Sequence, residues 1–263
     1  MVNIVITGST KGIGKGLADE FIAQGHQVVI SGRNQQEIDR LIEQSGSANL
    51  YGLACNTQDK DAVVALWQFA VDKLGGVDIW VNNAGLARTV WPILETPDEE
   101  IYTMVKTNVL GTINGCKVAA AAMKEQGSGK IFNMLGGGSD GEYFPGMGIY
   151  GTTKRGLDYF TNALAKELKD DGVLVGKIRP GMIITEGVIR ESNADKKNFE
   201  RRRKMANALC DTVETVAPFL VREMLAFNQT GKKIRWLTPM KMTARMLKAM
   251  VITPEDKFKQ FDL

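Results

Sequence analysis

The chain has 263 residues, 44% hydrophobic and 24% charged, with 33 Lys and Arg against 30 Asp and Glu for a formal charge of +3. That is enough chain for one large mixed core without a second domain, and too little net charge to argue for a nucleic-acid partner. One histidine, His26, and three scattered cysteines, Cys55, Cys116 and Cys210, argue against a histidine triad or a metal centre; no apolar run reaches the roughly 18 residues of a membrane span.

The β-branched run Val2–Ile6 predicts a strand, followed by Thr7-Gly8-Ser9-Thr10-Lys11-Gly12-Ile13-Gly14 and a helical stretch to about Gly25. Strand, glycine turn and helix form the context in which three glycines signal dinucleotide binding. Gly8 suits the tight turn, Gly12 the approach of a pyrophosphate and Gly14 close helix–strand contact, with free helix N–H groups for the phosphates. The next strand, Gln27–Arg33, ends in Ser31-Gly32-Arg33. It lacks the carboxylate that would accept the ribose hydroxyls of NAD. Arg33, with Lys11 on the glycine loop, can instead pair with a 2′-phosphate, so NADP(H) is the expected cofactor.

A helix near 34–45, a strand Leu50–Cys55, a helix near 58–74 and a strand Val77–Val81 lead into Asn82-Asn83-Ala84-Gly85. Thr96-Pro97-Asp98-Glu99 reads as a capping box with proline at N1, opening a long helix to about Glu125. Asn108 lies inside that helix, where an amide has poor propensity. It is either a kink that frees a carbonyl or orders a water near Lys154, or a surface amide. A strand Lys130–Met134, a helix through Tyr150 to about Lys169 and a strand Val173–Ile178 follow. Asp211-Thr212-Val213-Glu214 opens a helix to about Phe227, Lys233–Leu237 is the last strand, and Thr238-Pro239 caps a final helix near 239–251. Repeated βα units imply an α/β class: a doubly wound parallel sheet in a single domain over 1–263. Ligands in such sheets bind beyond the carboxyl ends of the strands, here the loops after Ile6, Val81, Met134 and Ile178.

Tyr150 and Lys154 carry the most chemistry. Four residues apart on a helix, they share a face with Cβ atoms about 6 Å apart. A phenol titrates near pH 10. An ammonium roughly 6 Å away, at an effective dielectric of about 20, would favour phenolate by about 3 kcal/mol. Tyr150 would then fall in the range of general acid–base catalysis. Pro180-Gly181-Met182-Ile183-Ile184-Thr185 follows the sixth strand and could hold a nicotinamide carboxamide through its backbone and the Thr185 hydroxyl.

Thr7-Gly8-x3-Gly12-x-Gly14, Asn82-Asn83-Ala84-Gly85, Asn108, Tyr150-x3-Lys154 and Pro180-Gly181-x3-Thr185 together resemble, in order and spacing, the short-chain dehydrogenase/reductases, over nearly the whole chain. The resemblance implies a Rossmann-like fold. It makes Tyr150 the proton donor and acceptor, puts Lys154 on the nicotinamide ribose, makes Asn108 the anchor of a relay water, and lines the adenosine side with Asn83, Ala84 and Gly85. It also implies a homodimer or homotetramer through the helices starting near Asp98 and Tyr150. Asn56 follows Cys55 where the family usually has an Asp beside adenine; its amide oxygen can still accept. The family's serine, thirteen residues before the tyrosine, falls on Gly137. Ser139 is the hydroxyl nearby, expected in the serine's role if the glycines fold back; the backbone N–H groups of Gly136-Gly137-Gly138 are the alternative oxyanion site.

Within the family, Ile131-Phe132-Asn133-Met134-x-Gly136-x-Gly138-Ser139-x-Gly141, Tyr150 to Leu157, and the tail Thr230–Pro239 resemble the chlorophyll b reductases, which use NADPH to reduce a 7-formyl group to 7-hydroxymethyl. The resemblance implies a small carbonyl substrate, with a chlorophyll-type tetrapyrrole first. A 3-oxoacyl thioester or ketone is the alternative, as is a non-catalytic dinucleotide- or pigment-binding relative, which Gly137 motivates. Trp91, Tyr143, Phe144, Met147 and Met182 are expected on loops at the catalytic end. Met240, Met242, Met246 and Met250, with Lys241, Arg245 and Lys248 between them, suit either a porphyrin-like ring or an amphipathic helix docked on the core or another subunit. Lys196–Lys204, with six cations in nine residues, falls in the expected substrate lid near 186–210. It is either a solvated face or a site for anionic lipid or a substrate carboxylate. A cytoplasmic location is expected, with peripheral membrane contact left open.

Overall fold

The structure, a computed structural model, describes residues 1–261 and 263. In chain order the strands are β1 (Asn3–Ile6), β2 (Gln27–Gly32), β3 (Leu50–Ala54), β4 (Ile79–Asn82), β5 (Gly129–Met134), β6 (Val173–Arg179), β7 (Met182–Ile183), β8 (Cys210–Asp211) and β9 (Lys233–Arg235). The helices are α1 (Gly12–Ala23), α2 (Gln35–Ser45), α3 (Lys60–Leu74), α4 (Asp98–Met104), α5 (Gly111–Gln126), α6 (Gly148–Glu167), α7 (Glu186–Ala194), α8 (Lys196–Leu209), α9 (Val213–Leu225) and α10 (Pro239–Val251).

Seven strands pair in the order β3-β2-β1-β4-β5-β6-β9, all parallel. The inner strands read as continuous apolar runs because helices cover both faces. Ile4, Ile6, Val28 and Ile30 pack against Leu17 and Phe21 of α1 and Val216 and Leu220 of α9. Val5, Val29, Trp80 and Ile131 pack on the other face against Val63 and Leu66 of α3 and Cys116 and Met123 of α5. Strand order reverses between β1 and β4, which opens the crevice where such sheets bind ligands.

Two of the predicted caps differ. The Thr96 hydroxyl donates to Pro92 O at 3.0 Å and leaves α4 without a side-chain cap; three acids in the first turn, Asp98, Glu99 and Glu100, complement its dipole instead. Thr212 likewise caps nothing, and Asp211 is drawn off to Arg245. Thr238 does cap α10, accepting from Lys241 N at 3.2 Å. The long helix expected to Glu125 is interrupted: α4 runs into a π-helical turn, Val105–Leu110, before α5.

Beyond β6 lies a small second layer. β7 and β8 form a two-stranded parallel sheet, too short to leave a periodic signal. Around it α7, α8 and the C-terminal tail build a third core from Ile184, Ala206, Cys210, Phe258 and Leu263, with Val188, Phe199 and Phe261 at its margin. Phe199 and Phe258 meet edge to face at 5.0 Å. Helix α10 does not dock on the core by its methionines: Met240, Met242 and Met250 are exposed, while Lys241 and Arg245 turn inward.

Candidate active site

The glycine loop after β1 is held from below. Thr7 Oγ1 accepts from the backbone N–H groups of Asn83 and Ala84, each at 3.1 Å. The Asn83 amide donates to Thr7 O at 3.0 Å and Gly8 O at 2.8 Å. Both donors of Asn83 are thus spent on the loop, so the side chain buttresses it. Gly8 has φ +62, and a Cβ there would stand 2.6 Å from the Ala84 Cα; only glycine fits. Ser9 is buried and ties the loop to β2, its hydroxyl donating to Ile6 O at 2.6 Å and accepting from Ser31 N at 2.9 Å.

No side chain caps α1, and its first turn holds no acid. By contrast, Asn34 caps α2 and Asp59 caps α3. The orphan N–H groups of α1 therefore remain for an anion. Lys11 and Arg33 are exposed at the loop and at the end of β2, and neither makes an ion pair among the described residues. Asn56 opens a turn, its Oδ1 accepting from Gln58 N at 3.3 Å, which leaves one lone pair for another donor.

Lys154 is buried, and its ammonium donates to Met134 O at 2.9 Å, 5.8 Å from the centre of the Tyr150 ring. The Tyr150 hydroxyl lies over Gly136: a Cβ there would stand 2.2 Å from it. Burial pushes the Tyr150 phenol up to about 12 and the Lys154 ammonium down to about 8. This corrects the expected lowering of the phenol. The ammonium turns to a backbone carbonyl, and desolvation dominates both groups. At neutral pH the tyrosine is an acid holding its proton.

Asn108 is fully buried in the π turn. Its Oδ1 accepts from Leu86 N at 2.7 Å, and its Nδ2 donates to Leu86 O at 2.9 Å and Thr153 Oγ1 at 3.1 Å. The amide is committed to holding the Gly85–Leu86 backbone beside Lys154, which excludes the surface reading. A Cβ on Gly85 would lie 3.3 Å from Asn108 Oδ1 and 3.6 Å from Lys154 Nζ, so the three residues form one cluster.

No hydrogen bond joins Ser139 to Tyr150, although a turn closes from Ser139 N to Gly136 O at 3.2 Å. Gly136 faces the phenol, Gly137 faces the Met147 methyl, and Gly138, at φ +85, packs on the Gly151 Cα. The carbonyl of Ser139 then accepts from Arg155 at 3.0 Å. Gly151 and Arg155 are four apart on a stripe of α6 adjacent to the one holding Tyr150 and Lys154. The buried hydroxyl of Ser139 has no partner among the described residues. The N–H groups of Gly136 and Gly137 also donate to nothing among the described residues.

An ionic clamp that sequence reading missed anchors this loop. Lys177 and Arg179 of β6 stand in register with Lys233 and Arg235 of β9, a square of four cations. Like charges directly opposite repel. Asp140 bridges them through Lys233, Arg179 and Arg235, the last at 2.7 Å; Glu142 pairs with Arg179. Asp158 of α6 pairs with Lys233 at 2.8 Å and Lys177 at 3.3 Å. Burial alone would raise the Asp140 carboxyl, but Lys233, Arg179 and Arg235 hold it below the usual carboxylate range. The cations Lys233 and Arg235 on either side of Ile234 were the one available signal.

Gly181 packs at φ +89 against Leu237. Thr185 caps α7 through Val188 N at 3.4 Å and lies against Gly12. Helix α7 reaches across the cleft: Glu191 accepts from Thr89 N at 2.9 Å and pairs with Arg88, which also pairs with Glu100. Ile93, Leu94, Tyr143, Phe144 and Met182 leave an exposed apolar surface among the loops at this end.

Residues 2–196 match the family model for short chain dehydrogenase. The probable chlorophyll(ide) b reductase NYC1 of Arabidopsis thaliana is 35% identical over 280 residues, covering 99% of this chain and 54% of its own length. The chlorophyll(ide) b reductase NOL of Oryza sativa subsp. japonica is 36% identical over 257 residues, 93% of this chain and 74% of its own. The chain thus spans about half the length of the first relative. Among solved structures, the closed form of a serine dehydrogenase complexed with NADP+ matches with a TM-score of 0.78 at 27% identity, covering 89% of this chain and 94% of that one.

Proposed function

The chain belongs to the short-chain dehydrogenase family, and we propose that within it the protein is an NADPH-dependent carbonyl reductase for the 7-formyl group of a chlorophyll b-type tetrapyrrole. The observation that carries the chemistry is the Tyr150 hydroxyl seated against Gly136, with Lys154 buried behind it. The substrate reading is supported by the identity with two chlorophyll(ide) b reductases over most of this chain and by the apolar rim of the cleft.

The residues present fit the nucleotide. Nothing approaches closer than 3.5 Å to the place a Cβ would take on Gly12, so a pyrophosphate can lie against the backbone from Gly8 to Gly14, above the uncapped end of α1. Lys11 and Arg33 supply two free cations for a 2′-phosphate. Thr10, Ile13, Asn56, Ala84 and Gly85 would flank the adenosine half; Tyr150, Lys154, Pro180, Gly181, Ile183 and Thr185 would flank the nicotinamide half. When bound, NADPH supplies the hydride.

The chain's own residues manage the proton and the developing charge. Tyr150 holds its proton at neutral pH and releases it to the carbonyl oxygen as that oxygen becomes basic. The amides of Gly136 and Gly137 stabilise the negative charge as it forms, in place of a serine hydroxyl. Lys154, still mostly charged at neutral pH, favours the phenolate left behind. Asn108 keeps the Gly85–Leu86 backbone, and with it the wall beside Lys154, in position.

Incubation of chlorophyllide b and chlorophyll b with NADPH tests this reading, with 7-hydroxymethyl product as the expected outcome. Tyr150→Phe is expected to lower turnover by at least about 100-fold while NADPH titration stays unchanged. Reduction of a small aldehyde without conversion of either pigment would remove the substrate; an active Tyr150→Phe enzyme would remove the acid.

A further inference from the structure

Helix α10 is folded inside out. Lys241, Arg245 and Ala249, spaced at i, i+4 and i+8, face the protein. The Lys241 ammonium lies 3.0 Å from the centre of the Trp236 ring. Arg245 forks onto Asp211 at 2.7 and 3.1 Å; Asp211 is also the acceptor for Trp236 Nε1 at 2.6 Å. Ala249 is buried. On the other side, Met240 is 82% exposed, Leu247 58%, Met250 74% and Val251 87%. Residues 240, 247 and 251 lie on one stripe of the helix, with Met250 at its edge and Ile252 just beyond, also exposed. A helix that directs Lys241 and Arg245 inward and Met240, Leu247, Met250 and Val251 to solvent is not explained by the core of this chain.

The charge around the stripe points to what covers it. Helix α10 contains no acidic residue, and Lys248 is exposed on it. It packs on α8, which exposes Lys196, Lys197, Arg201, Arg202 and Lys204. Among the described residues, Arg203 alone of its cations is paired, with Glu200 and Asp256. Six cations against the single acid Glu200 exceed the net +3 of the entire chain, so positive charge is concentrated on the helix that packs beside the apolar stripe. We propose that α10 and α8 form a docking surface for an anionic lipid bilayer. The α10 stripe enters the boundary between headgroups and acyl chains, and the α8 cations lie over the phosphates. A second copy of the chain fits less well, because a two-fold pairing of this face would set the α8 cations against their own equivalents. Helix α8 follows α7, which reaches over the cleft through Glu191. The proposal does not depend on which carbonyl is reduced.

Co-sedimentation of the full chain with phosphatidylcholine vesicles, with and without phosphatidylglycerol, tests it. Binding is expected only with phosphatidylglycerol, weakening as salt rises. Leu247→Ser with Val251→Ser should lower the partition coefficient at least about tenfold. Lys197→Glu with Arg201→Glu should lower it at least about fivefold for each charge removed. Melting temperatures equal to wild type will show that both variants fold. Wild-type protein left in the supernatant with anionic vesicles would overturn the proposal, as would an apolar double variant that binds undiminished. A wild-type dimer that the apolar variant disperses, without lipid binding, would overturn it in favour of self-association.

Discussion

The central sheet and the layer of α7, α8 and the tail, which includes the lid expected from the sequence, solve the same problem in opposite ways. In the sheet, apolar side chains fill both faces and the site is assembled mainly from backbone: the uncapped start of α1, the Gly8 turn, the Gly136 bed of the phenol. In the lid, a small core of Phe258, Ala206, Ile184 and Leu263 is closed by the chain's last residues, and neighbouring contacts are ionic, through Asp211, Arg245, Arg203 and Asp256. A large core can hold reacting groups rigidly; a small one, with charge at its margins, can open at low cost. The comparison suggests that chemistry was placed on the first and access on the second.

The strongest way to break this division is Gly136→Ala. Its methyl would meet the Tyr150 hydroxyl at 2.2 Å, and the displaced phenol is expected to lower kcat by about 100-fold with little change in Tm. Gly137→Ala meets only the mobile end of Met147 at 2.7 Å and should be far milder; equal losses in steady-state assays would mean that the loop, not the phenol, is disturbed. Arg33→Ala comes next, expected to reduce the preference for NADPH over NADH by roughly tenfold to 100-fold, read by titrating both nucleotides. The pH profile sharpens the account of the buried pair. Lys154, lowered to about 8, loses its charge on the alkaline side, while Tyr150, raised to about 12, keeps its proton there. Reduction should therefore be level below about pH 8 and fall above it, towards about tenfold per unit; a fall on the acid side would assign the titration elsewhere. The smallest effect is expected from Phe258→Ala. If lid and sheet are separate, it raises KM for the carbonyl substrate severalfold and leaves the main melting transition in place, although deleting a buried ring usually costs about 3 kcal/mol or more. A lowered Tm in calorimetry would make the two regions one cooperative unit.

The sheet was legible because each strand is a short apolar run between glycine or polar turns, and the βα alternation leaves few topologies. Tyr150, Lys154 and the glycine loop were legible because their spacing is local to one helix or one turn. What stayed hidden depends on contacts between distant segments. Binary pattern marks α10 as amphipathic but cannot say which side faces inward; Asp211 and Trp236 decide that. Thr96 and Thr212 have the right type and place for caps, yet their hydroxyls engage Pro92 O and Thr215 Oγ1 instead. Ser139 sits two residues from the expected serine position, but the positive φ of Gly138 turns the loop onto Gly151. Asp140 carries no signal of its own in the sequence, because its partners come together only where β9 sets its cations beside those of β6.

The π turn at Val105–Leu110 makes a single helix serve two phases. It sets Asn108 towards Leu86 and Thr153 while, one turn on, Gly111 lies against Thr57 and Gly115 against Asn82. Removing one residue from this turn would restore regular α-helical hydrogen bonds, yet it would rotate everything downstream by about 100°. Gly111 and Gly115 would leave their seats against the sheet, and a bulkier neighbour would arrive in each. The irregular turn is thus a phase adjuster, and a stability screen that rewarded a smoother helix here would select a chain whose two halves no longer mesh.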